Sequence, residues 1–151
     1  IENFPNDMKL IIIGEGGEKK KIEEYISSNK LENRIQLFGH ISNYSKLKEL
    51  YSKAYFSVSA GYIGLSVTQS FSFGVPMLVS KNENHSPEIE AVIENENGLY
   101  FKTDDEMDLN LKLERVFREK EYWNNKRESI TEFCKKNYST EVMAQVFIDL
   151  L

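Results

Sequence analysis

The chain has 151 residues, 40% of them hydrophobic and 28% charged, enough to bury one core and too few for two ordinary domains. Its 24 acidic against 19 basic residues give a formal charge of -5, which argues against nucleic acid as a partner because phosphate backbones are held by basic surfaces. The single cysteine, Cys134, can close no internal disulfide, no metal-ligand spacing stands out, and the apolar runs fall far short of the ~20 residues of a membrane span. Residues 1–7 are polar and hold Pro5, unlike a signal peptide, so a cytoplasmic protein is expected.

Met8 to Ile13 is apolar except for Lys9 and ends in Gly14, the pattern of a buried parallel strand entering a turn. From Glu18 to Asn29 a helix is expected, with Ile22, Tyr25 and Ile26 forming one stripe at i, i+3 and i+4, while Lys19, Lys20 and Lys21 face solvent. Arg34 to Phe38 reads as a second strand closed by Gly39, and Tyr44, Leu47, Leu50 and Tyr51 repeat the helical spacing. Tyr55 to Ser59 is a third strand, Gly64 to Phe73 a helix ended by Gly74, and Pro76 to Val79 a fourth strand. Pro87 opens a short helix, with Ser86 as its N-cap, and a turn at Asn97 and Gly98 leads to a fifth strand at Leu99 to Phe101. Parallel neighbours need crossover connections, so this alternation predicts a doubly wound parallel sheet of the Rossmann-like kind, its strand order unread.

Beyond Thr103 the pattern is helical throughout, which gives the sheet a helical C-terminal extension. Leu109, Leu113, Val116 and Phe117 form one stripe, and Trp123, Ile130, Phe133 and Cys134 suggest another, with Cys134 a small core residue. A last helix starts near Ser139; Val142, Met143, Val146, Phe147, Leu150 and Leu151 give it an apolar face broad enough to pack on a further surface.

Open parallel sheets bind ligands beyond the carboxyl ends of their strands, which directs attention to four loops. In Gly14-Glu15-Gly16-Gly17 the missing side chains let backbone N–H groups approach a phosphate, although Lys19 stands where a dinucleotide fingerprint needs glycine. His40, in Gly39-His40-Ile41-Ser42, can touch a ligand ring or simply sit at the surface. The third loop runs from Ser59 through Gly61 and Gly64 into a helix carrying Leu65, Ser66 and Gln69; its first N–H groups and the helix dipole suit a diphosphate, and Ser66 and Gln69 lie one turn apart on one face. The fourth, Lys81 to Pro87, sets His85 beside Glu88 as a polar pair.

Taken in order, these pieces resemble the retaining GT-B glycosyltransferases of the group 1 family. The strand ending in Gly-Glu-Gly, Ile35-Gln36-Leu37-Phe38-Gly39, the Leu47 to Tyr51 helix, the Gly64 helix closed by Gly74-Val75-Pro76, then Asn84 to Ile89 and Asn97-Gly98-Leu99 carry the resemblance across most of the chain. It implies that residues 1–151 form a nucleotide-sugar-binding domain, the carboxyl-terminal GT-B half. The first strand and the amino-terminal acceptor domain would lie outside this chain, and the last helix would fold back on that domain.

The resemblance further implies that Gly39 to Ile41, with His40, lies by the nucleobase, and that the helix start at Gly64, Leu65 and Ser66 meets the diphosphate; Gly14 and Gly16 stay a phosphate candidate on their loop chemistry, against the alternative of a tight strand-to-helix turn. The family pattern places glutamates at the positions of Gly61 and Gln69; Gln69 keeps hydrogen-bonding capacity toward a ribose, Gly61 offers backbone alone, and His85 or Glu88 would take over contact with the donor sugar. The expected reaction is transfer of a sugar from a nucleotide-diphosphate donor to a saccharide or lipid-linked acceptor, with retention, no bound metal and no cofactor besides the donor. The full-length protein would work in the cytoplasm, at the inner face of the membrane where the acceptor is lipid-linked. A degenerate domain that binds a nucleotide sugar or a partner without turnover, and a sugar-nucleotide epimerase, are the rival expectations.

Overall fold

Short apolar runs alternating with amphipathic segments fold in the expected order. The computed structural model describes residues 4–149, apart from the side chains of Val146 and Phe147. The chain divides into two compact units, Ile1–Lys48 and Glu49–Leu151.

In the first unit, β1 (Leu10–Ile12) leads through α1 (Lys19–Ser28) to β2 (Ile35–Leu37), which pairs with β1 in parallel, Leu10 opposite Ile35 and Ile12 opposite Leu37. Ile26, Leu31 and Ile35 form its small core, with Ile12, Ile22 and Leu37 packed against it. Tyr25, expected on the same stripe, is 57% exposed. The buried line follows i and i+4 through Ile22 and Ile26, and a residue at i+3 falls off a core this narrow. Arg34 fastens the leading segment, donating to the carbonyls of Met8 (3.1 Å), Phe4 (3.1 Å) and Pro5 (3.0 Å).

A helix α2 (Tyr44–Lys53) follows, capped by Asn43, whose Oδ1 accepts from Lys46 N–H at 2.9 Å. Leu47 and Leu50 are buried, whereas Tyr44 faces solvent.

The second unit is built on β3 (Ser57–Ser59), β4 (Met77–Ser80) and β5 (Gly98–Phe101), all parallel, with β4 in the middle and every one of its residues buried. Alternate side chains of a strand point to opposite faces, and two cores result. Met77 and Val79 pack with Ile63, Val67 and Phe71 around α3 (Ser66–Ser72), and with Ile130 and Cys134 from α6 (Arg127–Tyr138). Leu78 packs with Leu99, Phe101, Val116 of α4 (Glu106–Arg118) and Trp123 of α5 (Lys120–Asn125). Helices thus cover both faces of this sheet, the doubly wound arrangement that the alternation predicts.

Where the pattern suggested one stripe through Trp123, Ile130 and Cys134, there are two helices serving opposite faces. Trp123 and Ile130 stand two turns apart, so their spacing would suit a single helix, but the chain turns at Lys126 between them. The last helix, α7 (Thr140–Ile148), leaves Val142, Met143 and Ile148 exposed. Val146, Phe147, Leu150 and Leu151, the rest of its expected apolar face, lie outside the described side chains. Among the described residues, no helix is long and apolar enough to cross a membrane.

Candidate functional site

In the first unit the loops after β1 and β2 lie together. Gly14 N–H donates to Gly39 O at 2.7 Å, which carries the strand pairing past the last strand residues. Gly14 (φ +138°) and Gly39 (φ +55°) both occupy backbone that L side chains rarely adopt, so glycine here serves the turn itself. A cleft of ≈ 270 Å³ opens over these glycines, with Glu15, Gly16, Gly17, Glu18 and Lys19 along one wall. Glu18 stands at the N-cap of α1 and makes no side-chain capping bond. Among the described residues, the N–H groups of Gly16 and Gly17 have no acceptor, which leaves donors at the start of a helix. His40 is exposed and Ile41 half-buried on the strand-following loop.

The second unit holds the other candidates. Ser59 Oγ donates to the carbonyls of Gly61 (3.2 Å) and Tyr62 (3.3 Å), folding the chain sharply after β3. Ile63 is wholly buried and anchors the loop. α3 starts at Ser66, two residues later than the sequence suggests, because Gly64 and Leu65 are spent in the turn; Val67 N–H donates to Gly64 O and Gln69 N–H to Leu65 O. The N–H groups of Gly64, Leu65 and Ser66 have no acceptor among the described residues, and Leu65 and Ser66 are exposed. A Cβ on Gly61 would meet nothing within 4 Å, so a larger side chain there would enter open space. Gln69 is exposed on α3, and its Oε1 accepts from Tyr51 Oη at 3.5 Å. Tyr51 stacks on Phe73 with ring centroids 4.8 Å apart, and burial pushes its hydroxyl above the usual tyrosine range.

The segment after β4 folds against this loop. His85 Nδ1 accepts from Ile63 N–H at 3.2 Å, and Nε2 lies 2.8 Å from Ser80 O. Ser86 N–H donates to Ile63 O at 3.1 Å. His85 and Glu88 therefore go to different partners, since Glu88 accepts from Ser86 Oγ. That hydroxyl, with the backbone N–H of Glu88 itself, holds the carboxyl below the usual range. Ser86 does stand at the N-cap of the 3-10 helix Pro87–Ala91, but its side chain makes no capping bond; its hydroxyl donates to the carboxylate of Glu88.

A family model described as Glycosyl transferases group 1 matches residues 2–137. The chain belongs to this family. Over 72 residues it is 37% identical to the GtfA subunit of a UDP-N-acetylglucosamine--peptide N-acetylglucosaminyltransferase from Streptococcus agalactiae, a match covering 48% of this chain and 14% of that protein. Among solved structures, a Rickettsia africae glycosyltransferase superposes with TM-score 0.79 at 18% identity, over 95% of this chain and 39% of the other. S. aureus TarM, solved with UDP, superposes with TM-score 0.78 at 22% identity, over 96% and 29% respectively. The chain thus spans less than half the length of each of these proteins. The two solved structures bear out the Rossmann-like GT-B architecture.

Within this group 1 glycosyltransferase chain, the candidates read from sequence fall into a first-unit set (Gly14, Gly16, His40, Ile41) and a second-unit set (Gly61, Gly64, Leu65, Ser66, Gln69, His85, Glu88). Sequence reasoning missed Arg127, which donates to the carbonyls of Ala54 (2.8 Å), Tyr51 (3.0 Å) and Phe73 (3.1 Å), closing the ends of α2 and α3. Burial lowers the pKa of its guanidinium. An arginine beside an apolar stripe was the available signal, and nothing in the local pattern named its partners.

Proposed function

We propose that this chain supplies the nucleotide-sugar-binding part of a glycosyltransferase that moves a sugar from a nucleoside-diphosphate donor to a saccharide or lipid-linked acceptor. The observation that carries the reading is the family match over residues 2–137. The geometry supports it: the N–H groups of Gly64, Leu65 and Ser66, without an acceptor among the described residues, suit a diphosphate, and they would stabilise it most as its charge grows during departure of the sugar. Retention at the anomeric carbon and independence from metal follow from the resemblance. An amino-terminal domain of the same protein would hold the acceptor, in the cytoplasm or at the inner membrane face. TarM was solved with UDP, which puts UDP-sugars first among the donors to try.

Incubating the full-length protein with UDP-, GDP- and ADP-sugars and candidate oligosaccharide or lipid-linked acceptors tests this, with the product's anomeric configuration read by NMR. Transfer with retention, unchanged by a chelator, is the expected result. Inability to transfer or hydrolyse any donor would contradict it. A second reading, a binding domain without turnover, is favoured by the empty position at Gly61 and by Gln69 being engaged with Tyr51. Measurable donor binding with no transfer and no hydrolysis would select it.

A further inference from the structure

The cleft over Gly14 and Gly39 lies wholly within the first unit, beyond the carboxyl ends of β1 and β2, where open parallel sheets receive ligands. Its floor is aliphatic, made by Ile12, Ile22 and Leu37, each of them half-buried. Glu15 stands over this floor. A Cβ at Gly39 would come within 2.9 Å of Glu15 Oε1, so the carboxylate from the loop after β1 lies against the bare face of the glycine after β2. Among the described residues it accepts no hydrogen bond, and its contact with Lys19 is 3.6 Å long. The side chain is 63% exposed, which leaves its oxygens open to a ligand.

The charge on this wall decides which part of a nucleotide the cleft can take. Glu15 and Glu18 both line it against one ammonium, Lys19, and two carboxylates repel a diphosphate. A carboxylate only accepts hydrogen bonds, so its partner must donate. Every edge of a nucleobase sets acceptors beside its donors. The vicinal hydroxyls of a ribose instead offer two donors side by side, spaced to meet both oxygens of one carboxylate, and the aliphatic floor suits the flat face of a base next to them.

We propose that Glu15 is a specificity-determining residue of the donor site: its carboxylate takes the 2′- and 3′-hydroxyls of the ribose and so selects ribonucleotides over deoxyribonucleotides, with the base lying on Ile12, Ile22 and Leu37. This rests on the nucleotide-sugar reading given above. Gln69 Oε1, which the resemblance offers to the ribose, already accepts from Tyr51 Oη at 3.5 Å.

Calorimetry on the full-length protein with UDP, GDP and ADP, and with their 2′-deoxy counterparts, tests the assignment. For the base that the wild type binds, the ribonucleotide is expected to bind about tenfold more tightly than the deoxyribonucleotide. In Glu15→Ala that gap should shrink to within about threefold, chiefly through loss of ribonucleotide affinity. General damage to the loop would weaken both nucleotides alike and keep the gap. Because the exposed carboxylate makes no hydrogen bond that the fold uses, the melting temperature of Glu15→Ala should match that of the wild type. Equal binding of ribo- and deoxyribonucleotide by the wild type overturns the proposal, and so does a gap that survives in Glu15→Ala; its closure in Gln69→Ala instead would assign the ribose to Gln69. A wild type that binds none of the six nucleotides sinks the nucleotide reading itself, and this proposal with it.

Discussion

Gly64 and Gly74 illustrate two different demands for glycine. A Cβ at Gly64 would meet Tyr62 Cε1 at 3.5 Å and Ser86 Oγ at 3.7 Å, ordinary contacts, so the fold does not require glycine there. At Gly74 φ is +69° and a Cβ would come within 2.5 Å of the Arg127 carbonyl oxygen. Gly74→Ala should therefore cost about 2 kcal/mol or more in urea unfolding, through left-handed strain and the backbone clash. Gly64→Val should leave the melting temperature nearly unchanged yet abolish nucleoside-diphosphate binding in calorimetry, because the added methyls cover the free N–H groups. Unchanged affinity would remove Gly64 from the site. Both residues read alike in the sequence, as glycines flanking a helix, and only the surrounding atoms separate them. Trp123 is a third case: it is 1% exposed, makes edge-to-face contacts with Phe56 and Tyr122, and its Nε1 has no hydrogen-bond partner. Trp123→Ala should cost about 3–5 kcal/mol. Trp123→Phe, which keeps an aromatic ring and removes the unpaired N–H, should cost markedly less, and equal costs would show that the indole nitrogen is satisfied in solution.

At the scale of elements, all five strands and the helices between them were readable from periodicity and punctuation, with bounds displaced by at most two residues. The displacements have physical causes. The α3 helix loses Gly64 and Leu65 to a turn held by Ile63, and the break between α5 and α6 leaves no glycine or proline to mark it. What periodicity could not give was the joining of elements by polar side chains far apart in sequence. Arg127 closes the carboxyl ends of α2 and α3 through three carbonyls, two of them more than 70 residues away. Arg127→Met should keep the apolar stem and lose those bonds, lowering stability by about 3 kcal/mol because three carbonyls lose a charged donor. Denaturant unfolding measures it; a change within experimental error would mean that water replaces the guanidinium without cost. Asn43 as the cap of α2 was open to sequence reasoning, since asparagine just before an amphipathic stretch is a start signal.

For the molecule as a whole, the order of weak motifs carried more than any one of them. Gly-Glu-Gly, the glycine-led α3, Gly74-Val75-Pro76 and Asn97-Gly98 each occur by chance, but their succession along a parallel α/β pattern pointed to the group 1 glycosyltransferases, and the family match over residues 2–137 bears this out. The candidate site was legible as a set of loops and not as a set of contacts: a histidine and an isoleucine 22 residues apart share no local signal, so the hold of His85 on Ile63 appears only once the chain is folded. The central claim is that a nucleoside diphosphate is received by the free N–H groups at the start of α3. Amide hydrogen exchange of the full-length protein, with and without a saturating nucleoside diphosphate, tests it most directly. Gly64, Leu65 and Ser66 should exchange at least about tenfold more slowly when the nucleotide is bound, as donors that have gained acceptors do. Saturated binding that leaves these three amides exchanging at their free rate would contradict the account.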